Sequence, residues 1–531
     1  MTHEDVPQKT SETAKPTVYL TTAIPYVNAP PHIGFALEAI QTDVLARHHR
    51  AKGRAVRFQT GTDENSLKNV QAAEQAGLET ADLVARNARA FHGLRAALDL
   101  SFDDFIRTSA EARHRRGVER LWRACAERGD IYRRRYRGLY CVGCEQFYKS
   151  SELAGGLCPE HGTAPEEVAE ENYFFRLSRY EGALRQHIRN GDLRIEPESR
   201  RNEVLRWIDE GLEDISISRS SQRARGWGLP VPDDPSQVVY VWFDALGNYV
   251  TALDYAGEGS AFQQFWLSAQ ERIHVIGKGI TRFHALYWPA ILLSADQPLP
   301  TRVLVHGYVT VEGEKIGKSR GNAIDPVPLS EALGADALRY YLLRHVRTTE
   351  DGDFSRERFV QAYESELANQ LGNLAQRILG MIARYFDGVI PEPSARAIGS
   401  DLDRAVQALP ETVDALVERF ALHEALAAIW AVIGEANGHI ADRAPWSLAK
   451  QISASSGPTE SQAAEAQLRA CLYDIAQSLR VVARCAWPFL PSTCDRLAVQ
   501  LGLASALSDG CLAGRRISKA EILFPKADVQ V

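Results

Sequence analysis

The stretch "PHIGF" at residues 31–35 follows an apolar, strand-like run and precedes a helical pattern. A strand that ends in a tight turn directs the N-terminus of the next helix at a ligand, where free N–H groups favour anions. His32 offers a hydrogen-bond donor to phosphate oxygens, and Gly34 lets a ligand approach the backbone closely. Alone, the pattern is more typical of a core histidine beside a glycine at a helix start.

A second stretch, "EGEKIGKSRGNAIDP" at residues 312–326, places Lys315, Lys318 and Ser319 in a glycine-containing loop. Two ammonium groups three residues apart can stabilise the charge that develops on a pyrophosphate leaving group. By itself, the stretch is also typical of an exposed basic turn. It therefore predicts a phosphate site only in combination with other features.

Two short motifs, "CVGC" and "CPEH", supply four potential metal ligands: Cys141, Cys144, Cys158 and His161. Two ligand pairs separated by 13 residues suit tetrahedral Zn²⁺. All four positions are filled by protein, so we expect a structural zinc. A disulfide is the weaker alternative, because eight cysteines in 531 residues do not indicate a disulfide scaffold.

The elements around these motifs fall into two patterns. Strand-like and helix-like stretches alternate before and after an arginine-rich middle segment, which predicts an α/β fold with a Rossmann-like parallel sheet split by an insertion. Apolar residues then recur at helical spacing to the end of the chain, which predicts an α-helical bundle. The predicted units are a disordered tail (1–16), the first half of the catalytic domain (17–115), a zinc-containing insertion (116–225), the second half (226–327) and the helical domain (328–531).

Composition narrows the class of protein. An apolar content of 45% excludes a disordered chain, and a net charge of −7 excludes a broad basic coat but not a local basic face. The first 16 residues lack the apolar segment of a signal peptide, and no apolar run is long enough to span a membrane. We therefore expect a cytoplasmic protein without membrane contact.

The order of several stretches resembles the methionyl-tRNA synthetases, a class I aminoacyl-tRNA synthetase family, in its form with a single zinc knuckle. These stretches are "TAIPYVNAPPHIG", "FQTGTDE", "YVWFDAL", "KIGKSRGNAIDP", "LANQLGNLAQR" and "RAPWSLAK". The resemblance implies that the chain joins L-methionine to ATP, which Mg²⁺ accompanies, and releases pyrophosphate. The methionyl group of the adenylate then passes to tRNA(Met).

The resemblance also implies roles for individual residues. His32, Lys315, Lys318 and Ser319 are predicted to be catalytic, and His32, Gly34, Lys315 and Lys318 to bind ATP. The methionine pocket is predicted to consist of Ile24, Tyr26, Asp63, Trp242, Leu246, Tyr249 and His284. The anticodon is predicted to meet Asn373, Arg377 and Trp446, because splayed RNA bases stack on aromatic faces. Core packing is the alternative for the tryptophans and Tyr249.

Four departures from the family pattern lie near the predicted nucleotide site. Phe35 stands where a second histidine is usual, Ile316-Gly317 where Met-Ser is usual, Asn65-Ser66 where His-Gly is usual, and Gly279 where an aspartate is usual. These departures are compatible with a slower enzyme, a shifted ATP position or altered inhibitor sensitivity. We hypothesise a variant synthetase, a second copy that tolerates a natural inhibitor.

Three alternatives are a different class I synthetase, a non-catalytic relative that binds tRNA, and an adenylating enzyme with another acceptor. The isoleucine, valine and leucine enzymes carry a large editing insertion, for which the 283 residues from His32 to Lys315 (315 − 32) are too few. The cysteine enzyme places its zinc at the substrate thiol. A non-catalytic tRNA-binding paralogue would explain Phe35 and Gly279, and an adenylating enzyme could pass methionine to another acceptor. No appended domain follows the helical bundle, so we expect a monomer.

Overall fold

The computed structural model describes residues 15–143, 146–160, 162–257, 259–316, 321–393, 400–454 and 457–526. Several predicted residues therefore lie outside the described part of the chain: Cys144, His161, Gly317, Lys318 and Ser319. The predicted tail at residues 1–16 also lies almost entirely outside it. Within the described residues, no helix is both long and apolar enough to cross a lipid bilayer.

A parallel six-stranded sheet forms the centre of the molecule, with the order β3-β2-β1-β12-β13-β7. Its strands are β1 (Thr17–Thr22), β2 (Ala55–Thr62), β3 (Asp104–Arg107), β7 (Arg194–Glu196), β12 (Glu271–Gly277) and β13 (Arg302–His306). All six residues of β1 are buried, as expected for a central strand covered on both faces. The strand order reverses between β1 and β12, and ligands of open α/β sheets bind at such a switch point.

Three smaller sheets flank the centre. The antiparallel sheet β5-β4-β6-β8 consists of β4 (Ile131–Cys141), β5 (Gln146–Tyr148), β6 (Glu166–Phe175) and β8 (Ile215–Ser216). The second contains β9 (Ser218–Ser220), β10 (Pro230–Val231) and β11 (Asp234–Val239), and the third contains β14 (Val309–Val311), β15 (Glu314–Lys315) and β16 (Gly352–Phe354).

Two of these strands differ from the sequence-based division. Strand β7 pairs with β13 in the central sheet, although it lies inside the predicted insertion at 116–225. Strand β16 pairs with β14, although it lies inside the predicted helical domain. Both strands have three residues, which is too short to give a period that a sequence pattern could show.

Helices cover both faces of the central sheet and form the C-terminal bundle. The first group is α1 (Ile33–Ala51), α2 (Leu67–Ala76), α3 (Thr80–Ala97), α4 (Ala112–Glu127), α5 (Glu181–Asn190), α6 (Glu198–Asp209), α7 (Val241–Thr251), α8 (Ser260–Phe262) and α9 (Trp288–Ser294). The second is α10 (Pro326–Leu333), α11 (Ala335–Arg344), α12 (Arg356–Ala362), α13 (Asn373–Tyr385), α14 (Asp401–Glu418), α15 (Leu422–Arg443), α16 (Pro445–Ala454), α17 (Pro458–Ala486) and α18 (Pro491–Gln500). The predicted fold class, a Rossmann-like sheet followed by a helical region, is confirmed.

A buried ion pair links the central sheet to the bundle. Asp43 of α1 and Arg339 of α11 are fully buried and lie 2.8 Å apart. Arg339 also donates to the carbonyls of Pro488 and Phe489, each at 2.8 Å. Burial works to raise the pKa of Asp43, but Arg339 and Arg47 outweigh it and lower that pKa. One continuous apolar core surrounds these groups and includes residues of β1, α1, α11 to α15, α17 and α18.

Candidate active site

A cavity of about 460 Å³ opens at the switch point of the central sheet. Its walls come from the segment after β1, the start of α1, the turn after β12 and the loop between β13 and β14. Of the predicted site residues, the cavity is lined by Ile24, Tyr26, His32, Gly34, Asp63, Trp242 and Lys315. Residues that are far apart in sequence thus meet where three parallel strands end.

His32 is the N-cap of α1, and its Nδ1 accepts a hydrogen bond of 3.1 Å from the Gly34 N–H. Burial lowers the pKa of His32 to about 4, so the ring is neutral at pH 7. Because Nδ1 accepts, the proton lies on Nε2, which is therefore a donor. A Cβ on Gly34 would lie 2.9 Å from the His32 ring, so only glycine leaves this arrangement undisturbed.

The predicted methionine pocket divides into a wall and a layer behind it. Tyr26 and Trp242 meet edge to face in the wall with ring centroids 6.4 Å apart, and Trp242 stacks on Phe283 at 3.7 Å. Asp63 lies beside Tyr26 because the two residues form an isolated parallel bridge. Aromatic edges and faces of this kind make favourable contacts with a thioether sulfur.

The other three predicted pocket residues, Leu246, Tyr249 and His284, are almost fully buried and are absent from the cavity wall. The Tyr249 hydroxyl lies 2.7 Å from His284 Nε2, and His284 Nδ1 lies 2.9 Å from the Ile280 carbonyl. Burial lowers the pKa of His284 to about 4, so Nδ1–H donates to the carbonyl and Nε2 accepts from the hydroxyl. Of the three, His284 meets the Trp242 ring edge to face at 6.3 Å, and the direct contact of all three with substrate stays a prediction.

Lys315 reaches the cavity from β15 of the lysine-rich loop. Its Nζ lies 2.9 Å from the Glu160 carboxylate, and Glu160 lines the same cavity. Its Nζ also lies 5.3 Å from the centroid of the Tyr308 ring. Lys318 and Ser319 lie outside the described residues, so their positions remain predictions.

The sequence analysis missed a pair that joins the two halves of the sheet. Glu38 of α1 accepts from the Ala23 N–H at 2.8 Å, and its other oxygen lies 2.8 Å from His306 Nε2 at the end of β13. Both residues line the cavity. The sequence contains a signal for this pair, because Glu38 is a carboxylate on the apolar face of a helix. Such a group is buried only with a partner.

Comparisons with known proteins agree with this geometry. A family model described as tRNA synthetases class I (M) matches residues 18–167 and 161–379. The curated methionine–tRNA ligase of Mycobacterium bovis is 43% identical, with 96% of this chain and 97% of the relative covered. That of Caldanaerobacter subterraneus subsp. tengcongensis is 40% identical, with 97% and 80% covered.

The chain belongs to the methionyl-tRNA synthetase family.

Solved structures of the methionyl-tRNA synthetase family superpose closely on the chain. Mycobacterium tuberculosis methionyl-tRNA synthetase in complex with methionyl-adenylate gives a TM-score of 0.89 at 41% identity, with 96% of this chain and 100% of that chain covered. The free-state form gives 0.82 at 38% identity, with 97% and 99% covered. The chain is thus an aminoacyl-tRNA synthetase, of the methionine–tRNA ligase class.

The departures from the methionyl-tRNA synthetase pattern have structural partners here. Phe35 packs at a tilt against the His32 ring at 4.4 Å and meets Phe91 edge to face at 5.3 Å, so its ring joins an apolar cluster. Asn65 donates to buried Asp244 at 2.7 Å. Ser66 caps α2, because its hydroxyl accepts from the Lys68 N–H at 3.0 Å.

Of the four predicted zinc ligands, the structure describes Cys141 and Cys158. Both are buried and neither forms a disulfide, and Cys158 Sγ lies 3.8 Å from the Tyr148 hydroxyl. Backbone hydrogen bonds of 2.8 Å from Gly162 N to Cys158 O and from Cys158 N to Thr163 O form a tight turn around the second motif. Among the described residues alone there is no group of three potential metal ligands, and the other two predicted ligands lie outside them.

The predicted anticodon residues lie on the bundle. Arg377 of α13 stacks over the ring of Trp446 at 5.7 Å, and Trp446 is 40% exposed at the start of α16. Asn373 is the first residue of α13, one turn before Arg377. An exposed tryptophan beside a guanidinium offers a stacking surface that the core-packing alternative does not explain.

Proposed function

We propose that the cavity at the switch point is where methionine is activated. The observation that carries this proposal is that hydrogen-bond donors and an aromatic surface line the same cavity. His32 and Lys315 supply donors for phosphates, and Tyr26 and Trp242 supply an aromatic surface for a thioether side chain. Asp63, at the end of β2, binds the substrate ammonium.

The first step joins the methionine carboxylate to the α-phosphate of ATP. A carboxylate oxygen attacks phosphorus, and the bond to the pyrophosphate oxygen breaks as charge moves onto the leaving group. His32 Nε2–H donates to a phosphate oxygen, and Lys315 with Lys318 and Ser319 holds the leaving pyrophosphate. Mg²⁺ enters with ATP and neutralises part of its charge. No protein group has to take up a proton, so orientation and charge stabilisation determine the rate.

In the second step, a terminal ribose hydroxyl of tRNA(Met) attacks the activated carbonyl, its proton passes to a phosphate oxygen of AMP, and AMP leaves as the acyl–phosphate bond breaks. Asn373, Arg377 and Trp446 select the tRNA at the far end of the molecule by contacting anticodon bases. Arg377 and Trp446 already form a stacked pair there.

Methionine-dependent exchange of pyrophosphate into ATP tests the first step. We expect exchange with methionine but not with leucine, isoleucine, valine or cysteine, and a loss of at least a hundredfold for Lys315→Met. Acylation of tRNA(Met) tests the second step. Tight tRNA binding without exchange would favour the non-catalytic paralogue, whereas exchange without tRNA acylation would favour another methionyl acceptor.

Phe35 supports the hypothesis of a variant, inhibitor-tolerant enzyme, because its ring packs directly on His32. Restoring a histidine by Phe35→His should increase inhibition by non-hydrolysable methionyl-adenylate analogues. Equal inhibition of the two proteins would remove Phe35 from this hypothesis.

We also propose that Cys141, Cys144, Cys158 and His161 hold one structural zinc ion, which would crosslink the insertion. The support is the burial of the two described thiols beside a tight backbone turn. Metal analysis should find one zinc per chain and should find it lost in Cys158→Ser. Full zinc content in that variant would contradict this ligand set.

A monomer in the cytoplasm is the assembly we propose. The large exposed apolar side chains of the described residues are scattered over separate elements: Leu78, Leu157, Leu267, Trp446, Val499 and Ile522. Exposed apolar residues that occur singly are normal on the surface of a monomer. Light scattering should give the mass of one chain, and a concentration-independent dimer would contradict the proposal.

A further inference from the structure

Tyr308 lies in the loop between β13 and β14 and lines the catalytic cavity. Its hydroxyl oxygen is 2.0 Å from the position that a Cβ on Gly279 would occupy. The hydroxyl therefore rests directly on the backbone of Gly279, and no side chain fits at residue 279 unless Tyr308 moves. Gly279 belongs to the turn that follows β12.

Two ammonium groups lie over the ring of Tyr308. Lys278 Nζ is 4.7 Å and Lys315 Nζ is 5.3 Å from its centroid. Both distances are within the range of cation–π attraction. Asp351 holds Tyr308 and Lys278 together, because it accepts from the Tyr308 N–H at 2.9 Å and from Lys278 Nζ at 2.6 Å.

We propose that Tyr308 is a further nucleotide-binding residue. Its hydroxyl replaces a side chain at residue 279 as the polar group that faces the ribose–phosphate part of ATP. Its ring orients the Lys315 ammonium toward the phosphates. This inference rests on the proposed function, because it assumes that ATP occupies this cavity.

The surroundings of Tyr308 indicate an anionic ligand. Gly277, Gly279 and Gly307 line the cavity beside Tyr308 without side chains of their own, and the Tyr308 hydroxyl occupies the space that a side chain at residue 279 would fill. The phenol is therefore a polar group of this wall, and it lies beside both ammonium groups. A phenol donates to hydroxyl or phosphate oxygens alike.

Pyrophosphate exchange measured separately against ATP and methionine tests the inference. Tyr308→Phe removes only the hydroxyl, and we expect the KM for ATP to rise about three- to tenfold while the KM for methionine stays within twofold. Tyr308→Ala also frees Lys315, so kcat should fall in addition. Tyr255→Phe is the matched control, because Tyr255 also has a cation over its ring, Arg120 at 4.6 Å, but lies outside the cavity.

A double-mutant cycle with Gly279→Ala separates binding from general packing. The added methyl group should lower kcat/KM for ATP at least tenfold in the native background and less than twofold in Tyr308→Ala. An equal effect in both backgrounds, or an unchanged KM for ATP in Tyr308→Phe, would overturn the inference. Absence of methionine-dependent exchange in the native protein would instead mean that the proposed function itself fails.

Discussion

The Lys315 ammonium lies 2.9 Å from the Glu160 carboxylate and thereby joins the lysine-rich loop to the predicted zinc knuckle. Glu160 immediately precedes His161, one of the predicted metal ligands. The residue proposed to bind phosphate thus already has an anionic partner. ATP phosphates have to compete with that partner for the same ammonium group.

Glu160→Gln should therefore strengthen ATP binding. Both side chains of the pair are about half exposed, so the gain is small, and we expect the KM for ATP to fall about two- to threefold. Exchange kinetics at low and high salt measure the effect, which should shrink as salt rises. An increase in the KM would show that Glu160 positions Lys315 and does not compete for it.

Gly34→Ala should impair activation with little loss of stability. The new Cβ displaces the His32 ring from its cap, which should lower kcat/KM for ATP about tenfold or more. The lost cap costs about 1 kcal/mol, and the better helix propensity of alanine returns a similar amount. Gly93→Ala in α3 is the matched control, because nothing lies within 4 Å of its added Cβ. Equal losses of activity in the two variants would contradict the role of the His32 cap.

Arg339→Met should destabilise the whole protein. It leaves the Asp43 carboxylate buried without its partner from α11, at a cost of about 3–5 kcal/mol. Chemical denaturation monitored by fluorescence would measure this loss. Arg347→Met, which breaks an exposed pair with Glu350, should change the free energy of unfolding by about 0.5 kcal/mol or less. Comparable losses in the free energy of unfolding of both variants would show that burial does not determine how much an ion pair contributes.

Stability should fall as the pH drops from about 6.5 toward 4. Burial lowers the pKa of His32 and His284 to about 4, so the unfolded chain takes up protons in this range that the folded chain does not. Each histidine contributes a slope of about 1.4 kcal/mol per pH unit there, and this contribution is complete above the unfolded pKa. The free energy of unfolding measured in urea at several pH values should show it, and His284→Gln should reduce the slope. Identical slopes would show that His284 is not kept neutral.

Trp446→Ala should weaken tRNA use without affecting amino-acid activation. Loss of a stacking surface costs about 1–3 kcal/mol per base, so we expect the KM for tRNA(Met) in acylation to rise about tenfold or more. Pyrophosphate exchange, which needs no tRNA, should be unchanged. Leu267→Ala, another partly exposed apolar residue, serves as the control. A defect in exchange would mean that Trp446 acts through the fold.

The sequence predicts the layout of the chain because helical and strand-like periods extend over many residues. It also predicts that Asp63, which follows β2, lies at the site, because parallel strands end at a common edge. Lys315 instead reaches the cavity from β15 of a separate sheet. It does not predict β7, which has three residues, or the Glu38–His306 pair, whose members are far apart in the chain. The sequence also does not distinguish residues that line the cavity from residues such as Tyr249, which lies behind its wall, because a motif does not show the depth of its side chains.

Helix α1 has a consequence for how the protein can be divided. It begins at the His32 cap, buries Asp43 midway against Arg339, and ends beside Lys52, whose Nζ lies 3.0 Å from Asp414 of α14. Helix α1 therefore extends from the cavity at the switch point to the bundle. A fragment that ends after the lysine-rich loop would lack α11 and the rest of the bundle. The buried Asp43 carboxylate of α1 would then lose its partner Arg339. The sheet domain and the bundle are therefore not independent modules. A bundle taken from another protein would need an arginine in the place of Arg339 to pair with Asp43.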